Sequence, residues 1–392
     1  MRIAGCEVFL VALPSRRDHA WASKMHTPIG HHAIVRLDSD EGVSGWGEAP
    51  AIATWGGAGM RQYGETPQTV RHLVLDYLLP AIEGLDPAQI GVIHGRMDRV
   101  VKGNPYAKAA LDIACHDLAG RALGVPVSTL LGGRRRQGIE LAHSLGIMPV
   151  DRAVAEAEQA VAEGARTIKC KTGLDPDRDV ALVRELRERL GAEVKIRVDG
   201  NEGYATVAEA VAVTRAQEEH DILLCEQPVA GAGPLAEVAR RIDAPVMADE
   251  SAWTSLDILE LHELGAAQCF SCYVTKPGGL WRARQQAELA ATLGIYCDIG
   301  GSIEMGIGNA ANLQLGVSLE RAILPSVCPV TKPAGAAGPE VAGIYYLDDL
   351  VTEPFRFVDG EVLAPEGPGL GIEVDEEKVR HYANATAVAP AP

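Results

Sequence analysis

Several ingredients are scarce or missing in this chain of 392 residues, and each absence removes a class of function. No stretch approaches the roughly 20 consecutive apolar residues that a membrane-spanning helix needs, so no membrane partner is expected. Basic residues are outnumbered, 36 against 53 acidic, and the net charge of −17 argues against nucleic acid, whose phosphates require a basic face. The opening MRIAGCEVFLVALPSRR has no cationic start before its apolar run and alternates as a strand does, so a cytoplasmic location is expected. A second CxxC is absent. Cys269-Phe-Ser-Cys272 stands alone within a strand pattern, and the eight scattered cysteines read as reduced, buried thiols rather than a zinc or redox site. No GxGxxG follows the first strand, which argues against a dinucleotide-binding fold. What is left, 47% hydrophobic and 23% charged, is the composition of an ordinary globule at a length that suggests two domains.

Residues 3–12 and 31–38 alternate apolar and polar, and the turn at 38–42 leads into VSGWGEA, the pattern of a three-strand meander. Helical periodicity follows over about 66–82, 86–101 and 106–123, with Gly124 as a C-cap. Residues 1–125 therefore read as an α+β unit, sheet first and helices after. From about residue 139 strands and helices alternate. Candidate strands are 140–146, 167–171, 194–199, 222–226, 245–249, 269–274, 295–299 and 322–327. Eight strands at such intervals fit an α/β fold of the (β/α)₈ (TIM-like) barrel type over 126–340 better than an open sheet. Residues 341–380 return to short strand-like runs and an acidic helix that rejoins the first unit, and 381–392 read as a disordered tail.

The charged residues of the barrel half carry the chemistry. Lys169 and Lys171 in TIKCKTG, Asp199 in KIRVDGN, Glu226 in LLCEQP and Asp249 in PVMADES each end an apolar run, at steps of 28, 27 and 23 residues. In a (β/α)₈ barrel the carboxyl ends of all strands meet at one face, so these groups converge. Three oxygen ligands suit Mg²⁺ (or Mn²⁺). A single strand-end acid is as readily an N-cap for the next helix, but that reading weakens for three in successive units. Asn201 and Glu250, beside two of the acids, read as supporting or capping residues. Lys169 and Lys171, two apart on a strand, face the same way; mutual repulsion and poor solvation are expected to lower their pKa values toward a general base. The alternative is a pair of solvated lysines on a strand edge, which a central barrel strand does not have. A metal beside an amine base suits removal of a proton α to a carboxylate, because the resulting enediolate needs its charge stabilised.

In order and spacing, VSGWGEA, KGNPYAKAALDIACHDLAGRALGVPVSTLLGG, TIKCKTG, VDGN, EQP, MADES, KPGG, IEMGIGN and GPGLGIEVDEE resemble the muconate-lactonizing subgroup of the enolase superfamily over nearly the whole chain. A lysine or histidine base with Mg²⁺ is that superfamily's pattern. The resemblance implies an α+β capping domain closing over the barrel, formed by the N-terminal region and the C-terminal segment. It also implies an essential Mg²⁺ or Mn²⁺ held by Asp199, Glu226 and Asp249. Lys171 would be the acid/base, Lys169 its electrostatic neighbour, and Glu304 the acidic residue that faces the site. A small carboxylate substrate and a homo-oligomer, in relatives often an octamer, are implied as well. Specificity would come from two cap loops, about 15–31 with Trp21 and His26, and 51–65 with Trp55 and Arg61. Arg61 is a candidate partner for a distal carboxylate, although a lone surface arginine is commoner.

One departure bears on the reaction. Relatives carry a second catalytic lysine in K-x-x-K/R-x-G-G, and counting from Asp249 places Tyr273 there, with Lys276 before Pro277-Gly278-Gly279. Strand parity points Tyr273 into the barrel and Lys276 away or beyond the rim; the alternative is a space-filling Tyr273 with Lys276 bent inward. With one lysine face, two-base racemisation is disfavoured, and cycloisomerisation of an unsaturated diacid or syn β-elimination fits better. A muconate cycloisomerase-like isomerase or lyase is therefore expected. A dehydratase or an amino-acid-derivative racemase of the same subgroup is the next reading. A catalytically silent barrel acting as a binding or scaffold protein is the reading from another class. Dipeptides are disfavoured, because AILPSVCPV lacks the Asp-x-Asp pair used for a substrate ammonium.

Overall fold

Alternation at the N-terminus yields an antiparallel meander of β1 (Ile3–Ala12), β2 (His31–Ser39) and β3 (Ser44–Ala49). The computed structural model describes residues 1–22, 29–56 and 64–388, the side chains of 384–388 excepted. The glycines of VSGWGEA have a steric role: a Cβ on Gly47 would stand 1.9 Å from the Ala110 carbonyl oxygen, and one on Gly45 2.4 Å from that of Ala114. Only bare backbone lets β3 lie this close to the helix Pro105–Leu123. That helix ends at Gly124, in the left-handed region with φ 68°. The helix expected over about 66–82 runs as Pro67–Leu73, a wider turn Val74–Leu78, and Leu79–Ile82. Pro80 explains the widening, since it has no N–H for the regular ladder.

Short strand β4 (Gly138–Glu140) precedes seven parallel strands: β5 (Ala142–Leu145), β6 (Thr167–Lys171), β7 (Lys195–Asp199), β8 (Ile222–Glu226), β9 (Val246–Ala248), β10 (Cys269–Cys272) and β11 (Tyr296–Ile299). They pair in sequence order. Helices lie between them with one apolar stripe inward; Val150–Ala162 buries Ala153, Val154, Ala157 and Ala160. The eighth strand expected at 322–327 is not regular. Ala322 bridges Cys297, Ser326 bridges Leu141, and the Ser326 carbonyl accepts from Ala142 N at 2.8 Å, so this segment closes the barrel by isolated contacts. Pro325 lacks the donor a continuous ladder requires.

Three buried cap acids tie the two parts together. Glu48 accepts from the Met305 and Gly308 amides at 2.8 and 2.7 Å, at the start of the helix Gly306–Gly316. Asp112 accepts from Leu280 N at 2.7 Å, at the start of Leu280–Thr292, and Asp117 accepts from Leu370 N at 2.7 Å. Each places a carboxylate on backbone N–H groups, two of them at helix N-termini. The C-terminal run divides: β12 (Phe357–Val358) and β13 (Glu361–Leu363) join β4, while the helix Glu376–Val388 packs on β1. That helix continues through 381–388, where a disordered tail was expected, and 389–392 lie outside the described residues.

Glu65 offers a pH test of this framework. Its carboxylate receives Tyr106 N at 2.8 Å and Ala107 N at 3.2 Å, yet burial pushes its pKa up to about 7. A carboxyl whose folded pKa lies above its unfolded value binds more protons when folded, so its contribution falls as pH rises through that interval. Wild type is therefore expected to lose stability relative to Glu65→Gln between pH ~4.5 and ~7. Denaturant melts of both proteins across that range check it, and a constant difference would contradict it.

Candidate active site

The barrel's register sets the predicted groups side by side. Lys171 pairs with Asp199 across β6 and β7, and Asp199 with Glu226 across β7 and β8. Asp249 follows β9 and Tyr273 follows β10, and all of these side chains are buried. Lys169 Nζ lies 2.8 Å from Asp199 Oδ2 and 2.8 Å from Glu226 Oε2. Lys171 Nζ donates to Asp199 Oδ2 at 2.6 Å and to Asn201 Oδ1 at 2.8 Å. Asn201 also donates to Glu250 Oε1 at 2.9 Å, and its own amide N–H donates to Asp199 Oδ1 at 2.9 Å, so it orients both neighbours.

The expectation of a lowered pKa fails for Lys169. Burial pulls it down, but Asp199 and Glu226 outweigh burial and raise it, so Lys169 is held as an ammonium. The opposing cation is Arg197, and the carboxylates outweigh it as well. Burial works against the charge on Asp199 too, yet Lys169 and Lys171 hold its carboxyl well below the usual range. Glu226 is likewise held low, by Lys169 and Arg197 against burial and the repulsion of Asp199. Burial raises Asp249 despite Lys276, and burial and Asp249 push Glu250 far up.

Lys276 corrects the parity argument. It is buried and hydrogen-bonds the Asp249 carboxylate, the Asp249 carbonyl at 2.8 Å and the Ser271 carbonyl at 3.1 Å. Strand β10 ends at Cys272, so residues 273–279 form a turn in which strand alternation no longer applies. Lys276 bends inward behind Asp249, with Nζ 4.1 Å from the Tyr273 ring centroid, while Tyr273 itself lines the pocket. The Tyr273 hydroxyl reaches Asp249 Oδ2 at 3.4 Å, and burial keeps it protonated by raising its pKa well above the usual value.

Glu304 is buried behind pocket residues Gly301 and Ser302, and burial raises its carboxyl to about 7. Trp21 and Trp55 line the pocket, as expected of the cap loops. His26 and Arg61 lie outside the described residues. Arg197, His19 and the pocket residue Tyr345 were missed. Arg197 is fully buried and joins Glu226 Oε2 (2.6 Å) to Asp298 Oδ2 (2.8 Å). Its signal was available, since it lies two residues before Asp199 in KIRVD and so shares its face. His19 lines the pocket and contacts Arg17 Nη1 at 2.9 Å through Nδ1; no periodic pattern marks it.

Asp199, Glu226 and Asp249 form an all-oxygen donor set of the kind Mg²⁺ or Mn²⁺ takes. Among the described residues no three acidic, histidine or cysteine groups stand together as a ready metal cluster. Instead Lys169 lies between Asp199 and Glu226, and Lys276 holds Asp249. The donors suit a divalent ion in kind: buried carboxylates that repel one another and are compensated here by ammonium groups.

This arrangement of a capped parallel barrel with acids and paired lysines at its strand ends agrees with the comparisons. The mandelate racemase/muconate lactonizing enzyme N-terminal domain model matches residues 8–132, and the enolase C-terminal domain-like model matches 152–378. The chain is 34% identical to muconate cycloisomerase 1 of Rhodococcus opacus, covering 97% of this chain and 98% of that one. It is 30% identical to an N-succinyl-L-Arg/Lys racemase of Bacillus cereus, covering 97% of each. The solved structure of 2-chloromuconate cycloisomerase from Rhodococcus opacus superposes with a TM-score of 0.87 at 32% identity, covering 97% and 99%. The chain belongs to the muconate-lactonizing subgroup of the enolase superfamily. It is an enzyme of the isomerase/lyase kind found there.

Proposed function

We propose that this enzyme removes the proton α to the carboxylate of a small acid and passes through an enediolate, as a muconate cycloisomerase-like isomerase or lyase. The observation that carries this reading is Lys171. Its Nζ is held by Asp199 and Asn201 at the pocket, and Tyr273 lines the same pocket at the position where the family's motif would carry a second lysine. Lys171 would move the proton. Lys169, fixed as an ammonium, would stabilise negative charge on the substrate. Asp199, Glu226 and Asp249 would hold Mg²⁺ or Mn²⁺, which supplies Lewis acidity toward a carboxylate when bound. Tyr273 stays neutral and Lys276 lies behind Asp249, so proton transfer from one face is favoured: cycloisomerisation or syn elimination rather than two-base racemisation.

Incubating the protein in D₂O with a library of small carboxylates tests this. Exchange of an α-proton is expected with Mg²⁺, to be lost on chelation and restored by adding the metal back. Exchange indifferent to chelator would remove the metal from the reading, and no exchange with any acid would favour a binding protein.

A further inference from the structure

We propose that His19 is a substrate-binding residue whose Nε2–H donates to the second carboxylate of an unsaturated diacid, with Arg17 as the positioning residue that sets this tautomer; this rests on the cycloisomerisation reading above. Hydrogen count decides the tautomer. A guanidinium has only hydrogens to give, so His19 Nδ1, 2.9 Å from Arg17 Nη1, is the acceptor. A histidine that accepts at Nδ1 carries its one proton on Nε2 and bears no charge. Burial first, then Arg17 and Lys171, oppose a second proton and outweigh Glu156, which favours one. Arg17 is itself held in place. Its Nε and Nη2 bond the Glu156 carboxylate at 2.9 and 2.8 Å, Nη2 reaches the Ser144 carbonyl at 3.2 Å, and Nη1 donates to the Asp18 carbonyl at 3.0 Å. Glu156 belongs to the helix Val150–Ala162 and Ser144 to β5, so the barrel frame fixes the guanidinium.

The ring is placed as firmly as its partner. Its centroid lies 5.2 Å from that of Tyr345 and 6.0 Å from that of Trp21. Its segment is tied down by Arg16 N on the Tyr345 carbonyl and by Ile147 N on the Ala20 carbonyl, both at 2.8 Å. His19 lines the same pocket as Trp21, Tyr345, Lys169 and Lys171. Among the described residues Nε2 meets no acceptor, so the tautomer that Arg17 imposes leaves an N–H for whatever fills the pocket. A side chain locked by a supporting shell, with one donor left over, suits a ligand contact better than a packing role. The chemistry agrees. In cycloisomerisation the second carboxylate is the nucleophile toward the double bond. A hydrogen bond to it is charge-assisted even from a neutral donor, and such a donor aligns one oxygen without neutralising the group.

Calorimetry on the Mg²⁺-loaded protein with two inert acids, hexanedioate and hexanoate, tests this. Hexanedioate is expected to bind more tightly by about tenfold or more, the scale of one hydrogen bond to a charged group. His19→Phe should remove most of that preference. His19→Gln, whose amide keeps an N–H to give and an oxygen for Arg17, should retain part of it. In solid-state nitrogen NMR of histidine-labelled protein, the signals that His19→Gln removes should show Nδ1 bare and Nε2 protonated. The Nε2 signal should shift on binding hexanedioate and not hexanoate. Arg17→Met should mix the two tautomers and weaken the preference for hexanedioate. A wild type without that preference, a His19→Phe protein that keeps it in full, or a protonated Nδ1 in wild type would each overturn the proposal and leave the carboxylate reading intact. Failure of both acids to bind in the presence of Mg²⁺ would overturn both. Should His19→Phe melt early, the wild-type tautomer and the diacid-dependent shift still decide.

Discussion

Lys171→Ala is expected to lower α-proton exchange by roughly 10²- to 10⁴-fold, the usual share of a positioned acid or base. The measurement is proton NMR of a carboxylate that the wild-type protein exchanges in D₂O. The size of the effect follows from position. Lys171 and Lys169 both contact Asp199, but Lys169 is also bonded to Glu226 and held charged, so it is the poorer base. The variant should stay folded, because Asp199 keeps Lys169 as a partner. Undiminished exchange would remove Lys171 as the acid/base and direct attention to Tyr273.

Arg197→Met is expected to cost stability on the scale of a broken buried ion network, about 3–5 kcal/mol. Methionine fills similar length but leaves Glu226 and Asp298 facing each other's charge without their shared guanidinium. Asp298 Oδ1 has no other partner among the described residues, so its carboxylate has little to fall back on. Adding Asp298→Asn to Arg197→Met should recover part of the loss, since one orphaned charge is removed. Thermal melts of the single and double variants check both statements. A single variant melting with wild type would mean that the network is not load-sharing.

Much of the architecture was legible because it follows from periodicity. The meander and the helix ending at Gly124 are local consequences of alternation and capping, and seven parallel strands fall on apolar runs, four of which end in charge. The failures have a common origin in long-range contacts. Pro325 spoiled a strand that composition alone suggested. The inward turn of Lys276 depended on where β10 stops, which its apolar pattern does not mark. The raised pKa of Lys169 came from carboxylates 30 and 57 residues away, which burial and like-charge arguments on one strand omit. The acids and KxK lysines of the site were readable, since each lies within two residues of a strand's end. Its walls were not, because His19 and Tyr345 come from irregular segments without a repeating pattern.

The docking of the last helix on the first strand has a bearing on biosynthesis. Arg380 reaches Glu7 across 373 positions and covers Phe9 with its guanidinium at 5.1 Å, while Glu376 meets Arg36. β1 leaves the ribosome long before this helix, so the face of β1 that it covers stays bare while the intervening chain is made, although the helix Pro105–Leu123 packs on β3 much earlier. Such long-range closure slows folding and leaves apolar surface open to aggregation in the interim. Nascent chains stalled before residue 376 should therefore engage chaperones through their earliest strands.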